Sequence, residues 1–181
     1  MNKEEASEDV WEVEPNGPGE ERLRRVAHPF LWRLYRYWSD LPRNGRRFPR
    51  RQDIDPVAIG ATLPWVWLTD VVGNPIRLRH RLLGTAHVAA IGRDVTGEWV
   101  DHISPAFLDS PSYWDIVAVV ERGVISYRRG MTVVALIQKG FERRERLALP
   151  LARDGHQVDM VLGMTVYENV ARPHWASSPA T

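Results

Sequence analysis

Residues 77–97 read RLRHRLLGTAHVAAIGRDVTG, and the pattern of this run changes once, at Gly84. Before Gly84, arginines stand at every second position, with leucine or histidine between them. Alternation with a period of two is typical of a strand with one buried and one solvated face. The residues predicted on the buried face are Leu78, His80 and Leu82.

A short helix is predicted directly after this strand. Thr85 can accept a hydrogen bond from a backbone N–H and so cap the helix, and Gly92 can end it in the left-handed conformation. The run therefore predicts a strand that leads into a helix lying across the sheet.

The residues before this run predict a partner strand and a helix. Residues 65–72 are rich in aromatic and β-branched side chains, and the Gly-Asn-Pro sequence at 73–75 is a turn signal, so an antiparallel hairpin is expected. Farther back, residues 29–41 have apolar side chains at helical spacing after a proline that suits a helix start.

The residues after the run predict one long helix and three strands. Ser110 and Pro111 are a strong helix start, and apolar residues follow at helical spacing as far as Tyr127. Strands are predicted at 131–138, 144–153 and 158–166. This order predicts an α+β fold, a five-stranded antiparallel sheet with helices packed on one face and an N-terminal flanking helix.

Four short motifs in this order resemble PAS domains. They are RLLGT at 81–85, GRDVTG at 92–97, LPLARDG at 149–155 and VDMVLG at 158–163. The first two resemble the strand-to-helix segment of PAS-type sensors, and the last two resemble the final strands of small stand-alone bacterial PAS-like proteins. The resemblance covers residues 28–170. It implies a non-catalytic sensory or interaction module that signals through a partner protein.

Charge is unevenly distributed near the N-terminus. Residues 1–21 contain eight acids and one lysine, whereas residues 22–51 contain ten arginines and one acid. We expect 1–27 to be a disordered acidic leader in which only Trp11 and Val13 could dock, and 171–181 to be a disordered tail. The arginine-rich segment 22–51 is either a solvated face that the leader covers or a surface that binds nucleic acid or another anionic partner.

The composition excludes several kinds of site. The chain has no cysteine, so disulfides, thiolate zinc sites and the cysteine adducts of light-sensing PAS domains are excluded. The predicted long helix has no histidine where haem-binding PAS domains commonly have one, so haem is disfavoured and the cofactor is left unknown. Because no apolar run is long enough to span a bilayer and the N-terminus is acidic, a cytoplasmic protein is expected.

Two histidines lie on either side of Gly84. A buried imidazole needs partners for its nitrogens and titrates near neutrality, so His80 is either a ligand contact or a satisfied core residue. His87 lies on the predicted short helix, which borders the internal pocket in PAS-like proteins. Because the pair lacks a recognised ligand spacing, no metal site is predicted.

The resemblance also implies an internal pocket, which in general would be mostly apolar with a few polar groups. The predicted lining residues are Trp67 (or Trp65 in its place), His80, His87, Trp99, Tyr113, Val117, Val120, Met131 and Met164. The alternative is that these side chains fill an ordinary core. No catalytic residue is predicted, because Asp101, His102 and Ser104 are too close in sequence to face one another as a catalytic triad.

The helix at 29–41 has a wider apolar arc than one sheet contact needs. It is therefore predicted to bind a second subunit in a homodimer, or a signalling partner. The predicted interface residues are Leu31, Leu34 and Trp38. On this hypothesis, Trp38→Glu separates the dimer and leaves the sheet folded.

Overall fold

The computed structural model describes residues 9–14, 17–131 and 143–167. The strands are β1 Asp9–Val13, β2 Val66–Val72, β3 Arg77–Leu83, β4 Ile125–Met131, β5 Arg143–Leu151 and β6 Met160–Tyr167. The helices are α1 Pro18–Val26, α2 Pro29–Asp40, α3 Thr85–Ile91, α4 Val100–Ile103 and α5 Pro111–Arg122. All neighbouring strands are antiparallel, in the order β1-β4-β5-β6-β2-β3. The predicted α+β class and antiparallel sheet are confirmed.

Helices cover both faces of this sheet, and not one face as predicted, which is clearest along β5. Leu147, Leu149 and Leu151 belong to a core cluster shared with α1 and α2. Ala148, between them, belongs to a second cluster shared with α5. Because successive strand residues point to opposite faces, α1 and α2 cover one face, and α5 covers the other.

The hairpin and the helix after it are confirmed. β2 pairs with β3, and α3 ends at Gly92 in the left-handed conformation, with φ 84°. The N-cap residue is Gly84, and no side chain caps the helix. The predicted cap, Thr85, is instead the first helical residue.

A β-bulge at Arg81 changes which leucine faces the core. Leu68 pairs with Leu82, but the next residue, Thr69, pairs with His80, so Arg81 has no opposite residue. One extra residue inverts the alternation beyond it. Leu82, predicted on the buried face, is 36% exposed. Leu83 takes the inward position in its place.

The described part of the predicted leader, residues 9–14 and 17–27, contains β1 and α1 and is not disordered, so the sheet has six strands and not the predicted five. Val13 of β1 is buried, and Trp11 packs on Tyr127 of β4 with ring centroids 4.2 Å apart. In α1, Leu23 is completely buried. The pairing with β4 supplies backbone hydrogen bonds that so short a strand cannot make locally. Residues 1–8 and the predicted tail at 171–181 lie outside the described residues.

The predicted long helix ends earlier than its apolar spacing indicated. Gly123 caps α5 in the left-handed conformation, with φ 69°. Tyr127, which the spacing placed on the helix, lies instead in β4. β-branched and aromatic side chains favour a strand here. The predicted strand at 131–138 lies outside the described residues except for Met131, which ends β4.

The predicted interface residues lie inside a single chain. Leu31 and Leu34 are completely buried, and Trp38 is 3% exposed. The indole Nε1 of Trp38 donates a hydrogen bond to the Pro150 carbonyl of β5, at 3.0 Å. Because the chain's own sheet covers these side chains, they cannot form the contact with a second subunit. No helix in the described parts of the chain is both long and apolar enough to cross a bilayer.

Candidate functional site

A cavity of about 120 Å³ lies between the sheet and the helices α3, α4 and α5. Its apolar wall consists of Trp67, Leu78, Leu83, Ile91, Val100, Ile103, Phe107 and Ile116. Its polar lining residues are Thr69, His80, His87, Ser104, Arg144, Arg146, Thr165 and Tyr167. The cavity therefore has a large apolar surface and a polar side supplied mainly by the strands.

Strand alternation and one glycine place Trp67 in the wall of the cavity. Trp67 pairs with Gly163 of β6, and a Cβ atom at position 163 would overlap the indole ring. The indole Nε1 donates a hydrogen bond to Thr165 Oγ1 at 3.1 Å. The missing side chain at 163 thus lets the indole lie across the sheet.

His87 is held in one tautomer by two partners. Its Nε2 lies 2.8 Å from the Trp65 carbonyl oxygen, which can only accept, so Nε2 carries the proton. Its Nδ1 then accepts a hydrogen bond from the Tyr167 hydroxyl, at 3.1 Å. Burial lowers the pKa of His87 to about 4. The imidazole is therefore neutral at pH 7 and is satisfied by protein groups.

The neutral histidines predict acid-sensitive stability. Burial lowers the pKa of His80 to about 4 as well, although Glu98 raises it in part. Between pH 6.5 and 4 the unfolded chain binds protons that the folded chain does not, so stability falls as the pH falls. Lowering the pH from 7 to 5 should reduce the free energy of unfolding by about 2 kcal/mol for each of these two histidines, as measured by urea unfolding.

The matched control for this pH dependence is a histidine outside the core. His156 is exposed in the turn between β5 and β6. His87→Gln should reduce the loss of stability between pH 7 and pH 5, whereas His156→Gln should leave it unchanged. An equal pH dependence in His87→Gln and the parent protein would show that His87 is not buried as a neutral base. The groups facing His87 are Tyr167, His80, Arg144 and the Trp65 carbonyl.

Two buried arginines of β5 are site residues that the sequence did not reveal. Arg146 is 5% exposed, and its Nη2 donates to Asp115 Oδ2 of α5 at 2.5 Å. Its Nη1 donates to the Ser112 carbonyl at 3.3 Å. Arg144 donates from Nη2 to the Ser112 hydroxyl at 3.0 Å. These bonds join the floor of the cavity to the first turn of α5.

The sequence pattern RERLAL gave a weak signal for these arginines. Alternation places its leucines on one face of β5 and the arginines on the other. Glu145 lies on the leucine face, where it accepts hydrogen bonds from the Tyr127 hydroxyl at 3.0 Å and the His28 backbone N–H at 2.7 Å. Helices on both sides thus bury charged residues from both faces of one strand.

Several buried polar atoms of the cavity-lining residues have no hydrogen-bond partner within the described part of the chain. They include His80 Nδ1, Ser104 Oγ and Arg146 Nε. Leaving such a group unsatisfied in the interior costs about 1–3 kcal/mol. In folded proteins a partner usually satisfies groups of this kind. Atoms such as these therefore leave the residues around the cavity able to form further hydrogen bonds.

The structure brings only part of the predicted pocket together. Trp67, His80 and His87 line the cavity, and Tyr113 and Val117 pack in the same core cluster as Trp67. The side chain of Trp65 instead contacts Phe30 of α2, with ring centroids 5.0 Å apart. The residues that do not line the cavity include Trp99, Val120, Met131 and Met164.

Each of these four residues has a different environment. The Arg77 guanidinium carbon lies 4.2 Å from the centre of the Trp99 ring. Val120 lines a separate surface groove, and Met131 is 43% exposed. Met164 is completely buried among the residues that contact α1 and α2, on the opposite face of the sheet.

The residues considered for catalysis do not form a triad. Asp101 accepts a hydrogen bond from Arg77 at 2.8 Å. His102 Nε2 lies 3.2 Å from the same guanidinium, and Ser104 Oγ has no hydrogen-bond partner in the described structure. Among the described residues, Ser104 therefore has no base within hydrogen-bond distance. No group of three or more acidic or histidine side chains among the described residues could hold a metal ion.

Several side chains of the arginine-rich segment 22–51 make contacts within the chain. Arg22 lies over the Trp11 ring at 4.0 Å, and Arg43 lies over the Trp38 ring at 4.3 Å. Arg46 donates to Asp53 Oδ2 at 2.6 Å. These arginines stabilise the fold, so their number alone does not define an anion-binding surface.

Comparison with known proteins identifies one family. A family model described as a PAS domain matches residues 26–166, more than three quarters of the 181-residue chain. No curated protein and no solved structure gives a significant match.

Proposed function

The chain belongs to the PAS domain family, and on that premise we propose that it is a non-catalytic sensory module that binds a small molecule in the cavity described above. The single observation that carries this proposal is the set of unsatisfied polar atoms on the residues lining that cavity. A bound molecule that donates to or accepts from these atoms would offset their desolvation cost.

The size of the cavity restricts the ligand. Sites for drug-sized molecules occupy about 300–1,000 Å³. A volume of about 120 Å³ favours a ligand with few heavy atoms. The proposal therefore concerns a small metabolite rather than a haem or a flavin.

Binding could be transmitted through β5 to both layers of helices. Arg146 connects the cavity to Asp115 of α5. The preceding residue, Glu145, connects the other face of the sheet to the start of α2 through the His28 backbone N–H. A shift of β5 would change both contacts together, and a signalling partner would detect the altered helix positions. Homodimerisation remains a prediction, on a surface other than Leu31, Leu34 and Trp38.

The proposal predicts that small molecules stabilise the protein. We would measure the thermal unfolding midpoint with a panel of neutral, cationic and anionic compounds of three to eight heavy atoms. A ligand at 100 times its Kd should stabilise the folded state by about 2.7 kcal/mol. Filling the cavity with Ser104→Leu should abolish the shift, whereas Ala89→Leu, which adds the same bulk on an exposed position of α3, should retain it.

The panel also defines how the proposal fails. If no compound of any charge class shifts the midpoint, and native mass spectra show no ligand retained from the cell, then a small-molecule sensor is the wrong function. An equal shift in the parent protein and in Ser104→Leu would place the binding site elsewhere.

A further inference from the structure

We infer that the cavity binds a short-chain monocarboxylate, such as propionate, with its carboxylate next to Arg146 and Ser104 and its hydrocarbon part against the apolar wall. This inference rests on the proposed small-molecule function and names the chemical class of the ligand. The charge of the cavity, its unsatisfied donors, its volume and its apolar wall support this assignment.

The lining residues favour a negative charge. The described residues that line the cavity include the arginines Arg144 and Arg146, and none of these described lining residues is an aspartate or glutamate. Outside the lining, the Asp115 carboxylate receives hydrogen bonds from two guanidinium groups, those of Arg128 and Arg146. Burial, and then the neighbouring Arg144 cation, lower the pKa of Arg146. An anion beside Arg146 would relieve part of this electrostatic cost.

The atoms that lack a hydrogen-bond partner can donate hydrogen bonds to a carboxylate. The Nη atoms of Arg146 are engaged with Ser112 and Asp115, which leaves its Nε–H for a ligand. The Ser104 hydroxyl can donate a second hydrogen bond, and the side chain is 3% exposed. His80 is neutral at pH 7 and can add a hydrogen bond from Nδ1 without adding charge. Hydrogen bonds to a charged carboxylate are stronger than those to a neutral group.

The volume and the apolar wall distinguish a carboxylic acid from an inorganic anion. An apolar cavity of about 150 Å³ can hold benzene, which has six heavy atoms. About 120 Å³ therefore suits about five heavy atoms, the size of propionate. Phosphate would place polar oxygens against Leu78, Ile103 and Phe107, where they would have no partners. A two- to four-carbon chain instead buries its methyl and methylene groups there.

Isothermal titration of the full chain with sodium propionate tests the inference. We expect propionate to bind at least tenfold more tightly than propionamide, which has nearly the same shape but no charge. Affinity should peak between acetate and butyrate, and hexanoate should bind at least tenfold more weakly than propionate. Inorganic phosphate should bind at least tenfold more weakly as well.

Two variants locate the carboxylate. Ser104→Ala should raise the Kd for propionate about five- to tenfold, and Arg146→Gln should raise it more than thirtyfold. Since Arg146→Gln also removes a bond to Asp115, its folding is checked by its unfolding midpoint. Ser104→Ala keeps the inference testable if Arg146→Gln does not fold.

The outcomes separate the inference from the proposed function. If propionamide binds as tightly as propionate, the inference is overturned while small-molecule binding stands. Binding of phosphate equal to that of propionate, without dependence on chain length, would overturn it too. If carboxylates, amides and the whole thermal-shift panel fail to bind, then both the inference and the proposed function are wrong.

Discussion

Replacing Trp38 with glutamate should strongly destabilise the fold rather than separate two subunits. The indole is 3% exposed and donates a hydrogen bond to the Pro150 carbonyl. Removing a buried tryptophan side chain costs about 3–5 kcal/mol. Glutamate also brings a charge into the core, although Arg43, which lies over the ring, could offset part of that penalty. We expect a total loss of about 4 kcal/mol, a large part of the roughly 5–15 kcal/mol by which native proteins are stable.

Urea unfolding followed by circular dichroism measures this loss, and light scattering after size exclusion measures the mass. The matched control is Trp114→Glu, because Trp114 lies on α5 with 61% of its surface exposed. That change should alter the free energy of unfolding by no more than about 0.5 kcal/mol. If the Trp38→Glu variant had the unfolding midpoint of the parent protein but half the parent's mass in solution, the helix at 29–41 would be a dimer interface after all.

The parts of the fold predicted correctly are those determined by local patterns. The β2–β3 hairpin and α3 follow from alternation, a turn signal and the two glycines Gly84 and Gly92. Each signal lies within a few residues of the structure that it specifies. The order of the predicted elements then indicated the α+β class, with which the family resemblance agrees, and the structure belongs to that class.

The incorrect predictions depend on contacts between distant residues. Nothing near Arg81 indicates a bulge, because the register depends on how β3 pairs with β2. The strand containing Trp11 is too short to be stable alone and forms against β4. Leu31, Leu34 and Trp38 have the spacing of an apolar helix face, but spacing does not say whether a sheet or a second subunit covers it.

The site was predicted only in part for the same reason. Trp67, His80 and His87 could be predicted as site residues because a tryptophan or histidine at an inward-facing position is easily recognised in a sequence. Arg144 and Arg146 were not predicted as site residues, because arginines at alternate strand positions normally indicate a face exposed to solvent. Their burial depends on α5, whose Ser112 and Asp115 hold the guanidinium groups from 31 or more residues away.

Replacing Gly84 with alanine should be the most damaging single-methyl change in the strand-to-helix run. Gly84 has φ −67° and ψ 156°, a conformation that alanine adopts freely, so the cost is steric and not conformational. A Cβ atom at this position would overlap the backbone carbonyl oxygens of Leu63 and Pro64. Backbone atoms cannot rotate away as a side chain can. We expect a loss of about 3 kcal/mol in the free energy of unfolding.

The same displacement should damage the site. The Gly84 N–H donates to the Val66 carbonyl at 2.8 Å, and His87, one turn into α3, donates to the Trp65 carbonyl at 2.8 Å. Moving α3 away from this segment would lengthen both bonds, so the NMR signal of the His87 Nε2–H should broaden or shift. Gly60→Ala is the matched control, because a Cβ atom at position 60 meets no heavy atom within 4 Å. That change should be neutral, or stabilising by about 0.4–1 kcal/mol through the unfolded state. Equal unfolding midpoints for the two alanine variants would mean that the close approach of Gly84 to Leu63 and Pro64 does not constrain the fold.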